Sequence, residues 1–192
     1  TLRILPRSDC KVSGKNIYQK LKKPFLINKA FIASLGVIAA IWYVGSIKES
    51  DFQKPYSTVV FSEDQQLLGA RIASDGQWRF PIADSIPDKF KTCITVFEDR
   101  FFYEHPGINP VSLMRALYLN VKYGEIVSGG STISMQVIRL LKGNKKRTVF
   151  RKIYEILLAT RLEMQYTKNE IMQIYASLAP FGGNVVGLNA AA

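Results

Sequence analysis

The feature that most constrains this chain is an uncharged, apolar run from Ala30 to Ile47, "AFIASLGVIAAIWYVGSI". A helix that crosses a lipid bilayer needs about 17 to 25 predominantly apolar residues. The run therefore predicts one transmembrane helix over residues 30–47. A buried core helix would rarely extend this far without a charged residue.

The charges on the two sides of this run differ. Residues 1–29 form a basic tail, whereas Lys48, Glu49 and Asp51 follow the run with mixed sign. Because lysine and arginine favour the cytoplasmic side of a membrane, this bias predicts a cytoplasmic N-terminus and places the chain after residue 47 outside. A cleaved signal peptide is the alternative, but the basic stretch is long and no A-x-A cleavage site stands out.

The composition narrows the classes of partner. A formal net charge of +11 over 192 residues suits nucleic acid, an anionic membrane surface or a phosphate-bearing substrate. Nucleic acid is not expected, since the folded part is predicted to face away from the cytoplasm and no nucleic-acid-binding motif is present. Two cysteines, Cys10 and Cys93, and a single histidine, His105, exclude a disulfide framework and a histidine-rich metal site within one chain.

The hydrophobic period changes along the rest of the chain. Residues 48–85 contain the segments "STVVFS" and "QLLGARIA", which predict a linker with a short β-hairpin. Helical spacing dominates residues 86–192 and predicts a mainly α-helical domain. Helix starts are expected near Pro87, at Asn109 and Pro110, at Ser131 or Thr132, at Thr148, and at the capping box from Thr167 to Glu170.

A first candidate for chemistry lies in "EDRFFYEHPG", residues 98–107, where two carboxylates follow an apolar helical pattern. A carboxylate at the mouth of a largely apolar site suits a general base, and Glu98 is the candidate. A solvated helix end with weak surface ion pairs explains the same residues. His105 is interpreted as a structural hydrogen-bonding residue.

A second carboxylate, Glu155, follows several cations in "KKRTVFRKIYE", residues 145–155. On a helix, Arg151 and Lys152 share a face with Glu155. The cations exceed what one carboxylate needs, and charge-assisted contacts of this kind suit a pyrophosphate. A basic surface that attracts anionic headgroups is the alternative, and a lipid-linked pyrophosphate is compatible with both.

Between these segments lies "GGSTISMQ", residues 129–136. Glycine allows the backbone to approach a ligand closely, and the N–H and hydroxyl groups at a helix start bind anions. Taken alone, the segment is better explained as a loop and an N-cap. The presence of Glu98, Arg139 and Glu155 in the same sequence favours a binding role for this segment.

In this order, the segments resemble the peptidoglycan glycosyltransferase domain of class A penicillin-binding proteins and the monofunctional transglycosylases, glycosyltransferase family 51. The resemblance covers roughly residues 56–192 and rests on five motifs: "EDRFFYEHPG", "GGSTISMQ", "RKIYE", "KNEIMQIY" and "FGGNVVGLNAAA". The wording "LAPFGGNVVG" is similar to the C-type branch of the bifunctional proteins. The resemblance implies a mainly α-helical, lysozyme-like fold behind one N-terminal transmembrane helix, on the periplasmic side of the bacterial inner membrane.

The implied activity is polymerisation of lipid II into β-1,4-linked glycan strands, an inverting transfer that releases undecaprenyl pyrophosphate during cell-wall synthesis. By the resemblance, Glu98 is the general base for the acceptor 4-hydroxyl and Glu155 is the carboxylate that helps the pyrophosphate leave. Mg²⁺ or Mn²⁺ is the implied cofactor, although the sequence shows no dedicated metal cage. The implied partners are lipid II, the growing glycan strand, the cytoplasmic membrane and other cell-wall synthesis proteins.

The remaining site residues fall into two groups. Substrate binding is implied for Asp99, Phe102, Ser131, Thr132, Gln136, Arg139, Arg147, Arg151 and Lys152. Structural roles are expected for His105, Gly107 and Glu170.

The sequence also departs from the family pattern. Ser177 stands where the family usually has asparagine, so we expect reduced rather than absent activity. The chain ends just after the glycine-rich motif, so we expect a glycosyltransferase domain that is incomplete at its C-terminus. No transpeptidase is expected, because the Ser-x-x-Lys match from Ser8 to Lys11 lies in the predicted cytoplasmic tail without an accompanying "KTG".

Two other functions fit parts of the pattern. A non-catalytic, membrane-anchored scaffold would keep the glycan groove and recruit cell-wall machinery. A lytic glycosidase would use two carboxylates on a lysozyme-like fold, but it has no pyrophosphate for a cationic cluster to bind. The presence of both Glu98 and Glu155 favours the transferase.

Overall fold

The computed structural model describes residues 29–81, 85–143 and 148–192 and divides into two units, residues 1–41 and 42–192. The described part of the first unit belongs to helix α1, Lys29–Val44, which has no buried residue. Within the three described ranges, no helix has both the length and the apolar character needed to span a bilayer. The helix predicted over 30–47 is thus present but ends at Val44, and the structure does not confirm it as a membrane-spanning helix. The basic tail lies outside the described residues, apart from Lys29.

After the end of α1, the second unit continues with a short 3-10 helix, Glu49–Asp51, and the predicted β-hairpin. Strand β1, Thr58–Phe61, pairs antiparallel with strand β2, Leu67–Arg71. The β-branched residues of β1 suit an extended backbone. Only Val59 of the two strands is half-buried, and the others are exposed.

The remainder of this unit is mainly helical, as the sequence predicted. Its elements are α2 (Asp88–Glu98), α3 (Pro110–Tyr123), α4 (Ile133–Leu141), α5 (Val149–Gln165), α6 (Lys168–Leu178), β3 (Pro180–Gly182), β4 (Val185–Val186) and α7 (Leu188–Ala191). Strands β3 and β4 pair antiparallel within the glycine-rich motif. This pairing was not predicted, because strands of two or three residues have no recognisable period.

The predicted helix starts are confirmed by their N-caps. The side chains of Asn109, Thr132 and Thr148 each accept a hydrogen bond from a backbone N–H in the first turn of the helix that follows. Thr167 and Glu170 form the predicted capping box at the start of α6. Each such cap is worth about 1 kcal/mol, so the helix starts are determined locally by the sequence.

Helix α4 forms the centre of the core. Ile133, Met135, Val137 and Ile138 are fully buried, on several sides of the same short helix. A helix that is apolar around most of its circumference is stable only when other elements surround it. Helices α5 and α6 supply the main surrounding side chains, which include Leu158, Leu162, Ile171 and Met172. The core thereby fixes the position of the polar residues on α4.

Helix α3 differs from α4 in burial. The apolar stripe predicted for it is present, but Val111, Met114, Leu117 and Val121 are all exposed, and only Ala116 is buried. Helical spacing therefore predicted the helix correctly without predicting what its apolar side contacts.

Candidate active site

Two clefts in the second unit meet at Ser131, which lines both. One, of about 310 Å³, is lined by Glu98 and by Ser112 and Arg115 of α3. The other, of about 170 Å³, contains the second carboxylate and several cations; its lining includes Glu155, Arg139, Arg151 and Lys152. The segment "GGST" thus lies between the two carboxylates that the sequence singled out.

Glu98 is the last residue of α2, and its side chain is exposed at the first cleft. Its Oε2 accepts a hydrogen bond of 2.7 Å from Nε2 of Gln136 on α4. Among the described residues, its Oε1 accepts no hydrogen bond, so this oxygen is free to accept a proton. Burial raises the pKa of Tyr175 on α6, and the negative charge of Glu98 raises this pKa further.

Glu155 is buried and fully paired. Its Oε1 and Oε2 accept hydrogen bonds of 3.1 and 2.9 Å from Nε and Nη2 of Arg139, a bidentate arrangement. Arg151 lies 3.9 Å from the same carboxylate. The hydrogen bonds to Glu155 raise the pKa of Arg139, although burial acts in the opposite direction. Two guanidinium groups around one carboxylate leave net positive charge in this cleft.

The other cations of the second cleft are held by neighbouring polar groups. Nζ of Lys152 donates a hydrogen bond of 2.6 Å to Oγ of Ser131. Arg151 donates to the backbone oxygens of Lys142 and Gly143, which lie where α4 ends. Arg147, the remaining predicted cation, lies outside the described residues.

Three residues predicted to bind substrate, Asp99, Phe102 and Thr132, are buried, although Asp99 and Thr132 also line the first cleft. Their substrate-binding roles stay predictions. Phe102 is fully buried in the core. The carboxylate of Asp99 lies 2.9 and 3.1 Å from Nε2 of His105 and also accepts a hydrogen bond from the backbone N–H of Ile133. Thr132 donates a hydrogen bond to the carbonyl oxygen of Gly107 and caps α4. Because each polar group is already paired inside the fold, none can turn toward a ligand without losing that bond.

The structural roles predicted for His105 and Gly107 agree with these contacts. Nδ1 of His105 is buried and has no hydrogen-bond partner among the described residues, so its contact with Asp99 is made through Nε2. Gly107 has a φ of +85°, and a Cβ there would lie 2.7 Å from the backbone oxygen of Ala159.

The glycine pair lines the first cleft, and one of the two glycines also packs against the protein's own backbone. A Cβ on Gly130 would lie 2.8 Å from Cα of Leu113, so Gly130 allows the loop to pack against helix α3. A Cβ on Gly129 would meet nothing within 4 Å. The close approach that requires glycine is therefore to the protein's own backbone at Gly130.

Sequence reasoning missed three polar residues close to these motifs. Ser134, Glu163 and Lys168 form a connected group between α4, α5 and the turn after α2. Ser134 belongs to the motif "GGSTISMQ" and Lys168 to the motif "KNEIMQIY", so membership of a family motif was the signal that could have identified them. Oγ of Ser177 donates a hydrogen bond to the carbonyl oxygen of Ile174 in the same helix, and this local contact does not indicate a role in either cleft.

The donor set does not fit a dedicated protein site for Mg²⁺ or Mn²⁺. The described residues contain no group of three or more histidine, cysteine, aspartate or glutamate side chains placed to hold a metal ion. Both oxygens of Glu155 are already bound to Arg139, and divalent cations prefer several free oxygen ligands. The metal implied by the resemblance stays a prediction.

Comparison with known proteins identifies the family. The family model described as "Transglycosylase" matches residues 62–192. Penicillin-binding protein 1C of Escherichia coli is 39% identical over 69% of this chain and 17% of its own length. Penicillin-binding protein 1A/1B of Bacillus subtilis is 36% identical over 77% of this chain and 16% of its own.

A third relative is a shorter protein. Biosynthetic peptidoglycan transglycosylase of Alcanivorax borkumensis is 32% identical over 84% of this chain and 65% of its own length. The chain therefore spans about a sixth of the first two relatives and about two thirds of the third. Because the family model covers most of the chain, including both clefts and the carboxylates within them, this chain belongs to the transglycosylase family.

Proposed function

We propose that this chain polymerises lipid II into β-1,4-linked glycan strands, as the peptidoglycan glycosyltransferase part of a class A penicillin-binding protein or a monofunctional transglycosylase. The observation that carries the proposal is the pair of clefts that meet at Ser131. The first cleft contains the exposed carboxylate of Glu98, and the second is lined by several arginine and lysine side chains. The printed name of the Alcanivorax relative, a biosynthetic peptidoglycan transglycosylase, supports the same activity.

In the first cleft, Glu98 acts as the general base. The amide of Gln136 holds one carboxylate oxygen, and the other takes the proton from the 4-hydroxyl of the acceptor sugar. That hydroxyl oxygen attacks the anomeric carbon of the growing strand from the face opposite the departing pyrophosphate, which inverts the configuration. Because the amide already holds the carboxylate in place, less conformational entropy is lost when the transition state forms.

In the second cleft, cations stabilise the leaving group. As the glycosidic C–O bond breaks, negative charge develops on the pyrophosphate oxygens, and fixed cations stabilise such charge with little reorganisation. Lys152, Arg151 and Arg139 all line this cleft. Glu155 orients Arg139 through the bidentate pair.

The location follows from the substrate. Lipid II is anchored in a membrane, so the enzyme acts at the membrane surface, and we propose the outer face of the bacterial cytoplasmic membrane. The uncharged run over residues 30–47 and the basic residues before it support a single anchor with a cytoplasmic N-terminus.

The test is glycan formation from purified lipid II in detergent by the full-length protein. Glu98→Gln should abolish polymer formation, because the amide cannot accept the proton. Glu104→Gln is the matched control, since this exposed glutamate follows Glu98 in the same segment and should leave the rate unchanged.

Polymer formed at the wild-type rate by Glu98→Gln would refute the role of the base. No polymer from the wild type, with lipid II still bound, would instead indicate the non-catalytic scaffold.

A further inference from the structure

Lys168, the first residue of α6, connects the turn after Glu98 to helix α5. Its Nζ donates a hydrogen bond of 2.6 Å to the backbone oxygen of His105 and one of 2.7 Å to Oε1 of Glu163. The ammonium also lies 4.5 Å from the centre of the Phe102 ring, within cation–π range. Two of its three partners thus belong to the turn that begins directly after Glu98.

Glu163 extends this connection to α4. Its Oε1 also accepts a hydrogen bond from Oγ of Ser134 in the first turn of α4. The side chain of Glu163 is only 8% exposed and that of Lys168 is 22% exposed, so water competes weakly for these bonds. One carboxylate oxygen therefore joins a residue of α4 to the ammonium that holds the turn.

The two ends of this connection carry the contact that the proposed base depends on. Glu98 immediately precedes the turn, and Gln136 lies two residues after Ser134 on α4. Their hydrogen bond of 2.7 Å exists only if the turn and α4 keep their relative position. The start of α4 is also joined to the turn through Asp99, which accepts from a backbone N–H of α4.

We propose that Lys168 is a positioning residue for glycosyl transfer. Through the carbonyl of His105 and through Glu163 and Ser134, it holds the turn against α4 and keeps the Glu98 carboxylate on the Gln136 amide. The inference rests on the proposed role of Glu98 as the base. A partly buried ion pair is by itself weak evidence for stability, because desolvation offsets much of the attraction. A geometric role explains better why the ammonium contacts three groups of the turn and of α5.

The test is a steady-state comparison of Lys168→Met and Lys168→Arg in the full-length protein, with lipid II as substrate. Methionine keeps the apolar stem over the Phe102 ring and removes the charge. We expect kcat per folded enzyme to fall on the order of 10- to 100-fold with KM changed by less than about 3-fold, since a misplacement near 1 Å costs about that much. Arginine still donates to both oxygens and should restore most of kcat.

Lys142→Met is the matched control. Lys142 forms an ion pair with Asp51, and its side chain is 19% exposed, close to the 22% of Lys168. Both variants should lower the unfolding temperature, but only Lys168→Met should lower kcat. An unchanged kcat per folded enzyme in Lys168→Met, or an equal fall in Lys142→Met, would overturn the positioning role.

Ser134→Ala provides a second measurement that removes a single hydroxyl. We expect kcat to fall by about 3- to 10-fold, in line with the loss of one hydrogen bond. In the double variant with Lys168→Met, the two effects should be less than additive, because both act through the same carboxylate. Additive effects in the double variant would overturn the proposal, and so would a normal kcat in Ser134→Ala, which can be measured even if Lys168→Met fails to fold. Glu98→Gln run in parallel separates the two claims, since polymer from that variant refutes the base itself.

Discussion

Replacement of Gly107 by alanine is the sharpest test of how the turn after Glu98 is packed. Gly107 has a φ of +85°, and a Cβ there would lie 2.7 Å from the carbonyl oxygen of Ala159. Gly124 has a similar φ of +72°, but a Cβ there would meet nothing within 4 Å. A comparison of the two alanine variants therefore separates the cost of the backbone conformation from the cost of crowding.

The two costs have different sizes. An L-residue in the left-handed region costs about 1–2 kcal/mol, and both variants should show this loss. Overpacking adds about 1–3 kcal/mol, and only Gly107→Ala should show it. The crowding atom is a backbone oxygen of the buried part of α5, so it cannot move aside as a flexible side chain would. We therefore expect a loss near 1 kcal/mol for Gly124→Ala and about 3 kcal/mol for Gly107→Ala.

The assay is thermal unfolding followed by far-UV circular dichroism in detergent. For a chain of this size, 1 kcal/mol shifts Tm by about 2–4 °C, so the expected shifts are about 3 °C and about 9 °C. Equal shifts for the two variants would refute the packing argument. A stability of Gly107→Ala equal to that of the wild type would show that the turn and α5 separate without cost.

Two further perturbations test other contacts. Gly130→Ala should lower Tm and the rate of polymer formation, because its Cβ would lie 2.8 Å from Cα of Leu113, whereas Gly129→Ala should leave both unchanged; equal effects would contradict the packing role. Burial alone would raise the pKa of Asp51, but hydrogen bonds and charge from Lys142, with a backbone N–H bond, outweigh it and keep the pKa below its ordinary value. The stabilisation is therefore present above the unfolded pKa, about 3.9, and is lost as pH falls through the lower folded value. Lys142→Met should lower Tm near pH 7 and have a smaller effect near pH 3, and a shift independent of pH would contradict the ion pair.

Local signals in the sequence predicted the secondary structure of the described helices well. Capping residues such as Asn109, Thr148 and Thr167 act within one turn of the chain, so their effect does not depend on distant residues. The β-hairpin was predicted for the same reason, since it pairs segments that are neighbours in sequence.

Burial was less predictable, because it depends on which elements pack together. Helices α3 and α4 both carry apolar residues at helical spacing, yet α4 is the centre of the core and α3 is largely exposed. Periodicity identifies the apolar side of a helix but not its neighbour.

The sequence by itself determined the family, the order of its motifs and the two carboxylates, Glu98 and Glu155, because residue identity and spacing carry that information. The tertiary structure decided what each motif residue contacts. It turned Asp99, Phe102 and Thr132 inward and joined segments far apart in the chain, since side chains pair with whatever the packed helices bring near. The buried helix α4 is fixed against its neighbours and carries both Gln136 and Arg139. For this reason Gln136 can donate to Glu98, and Arg139 can pair with Glu155.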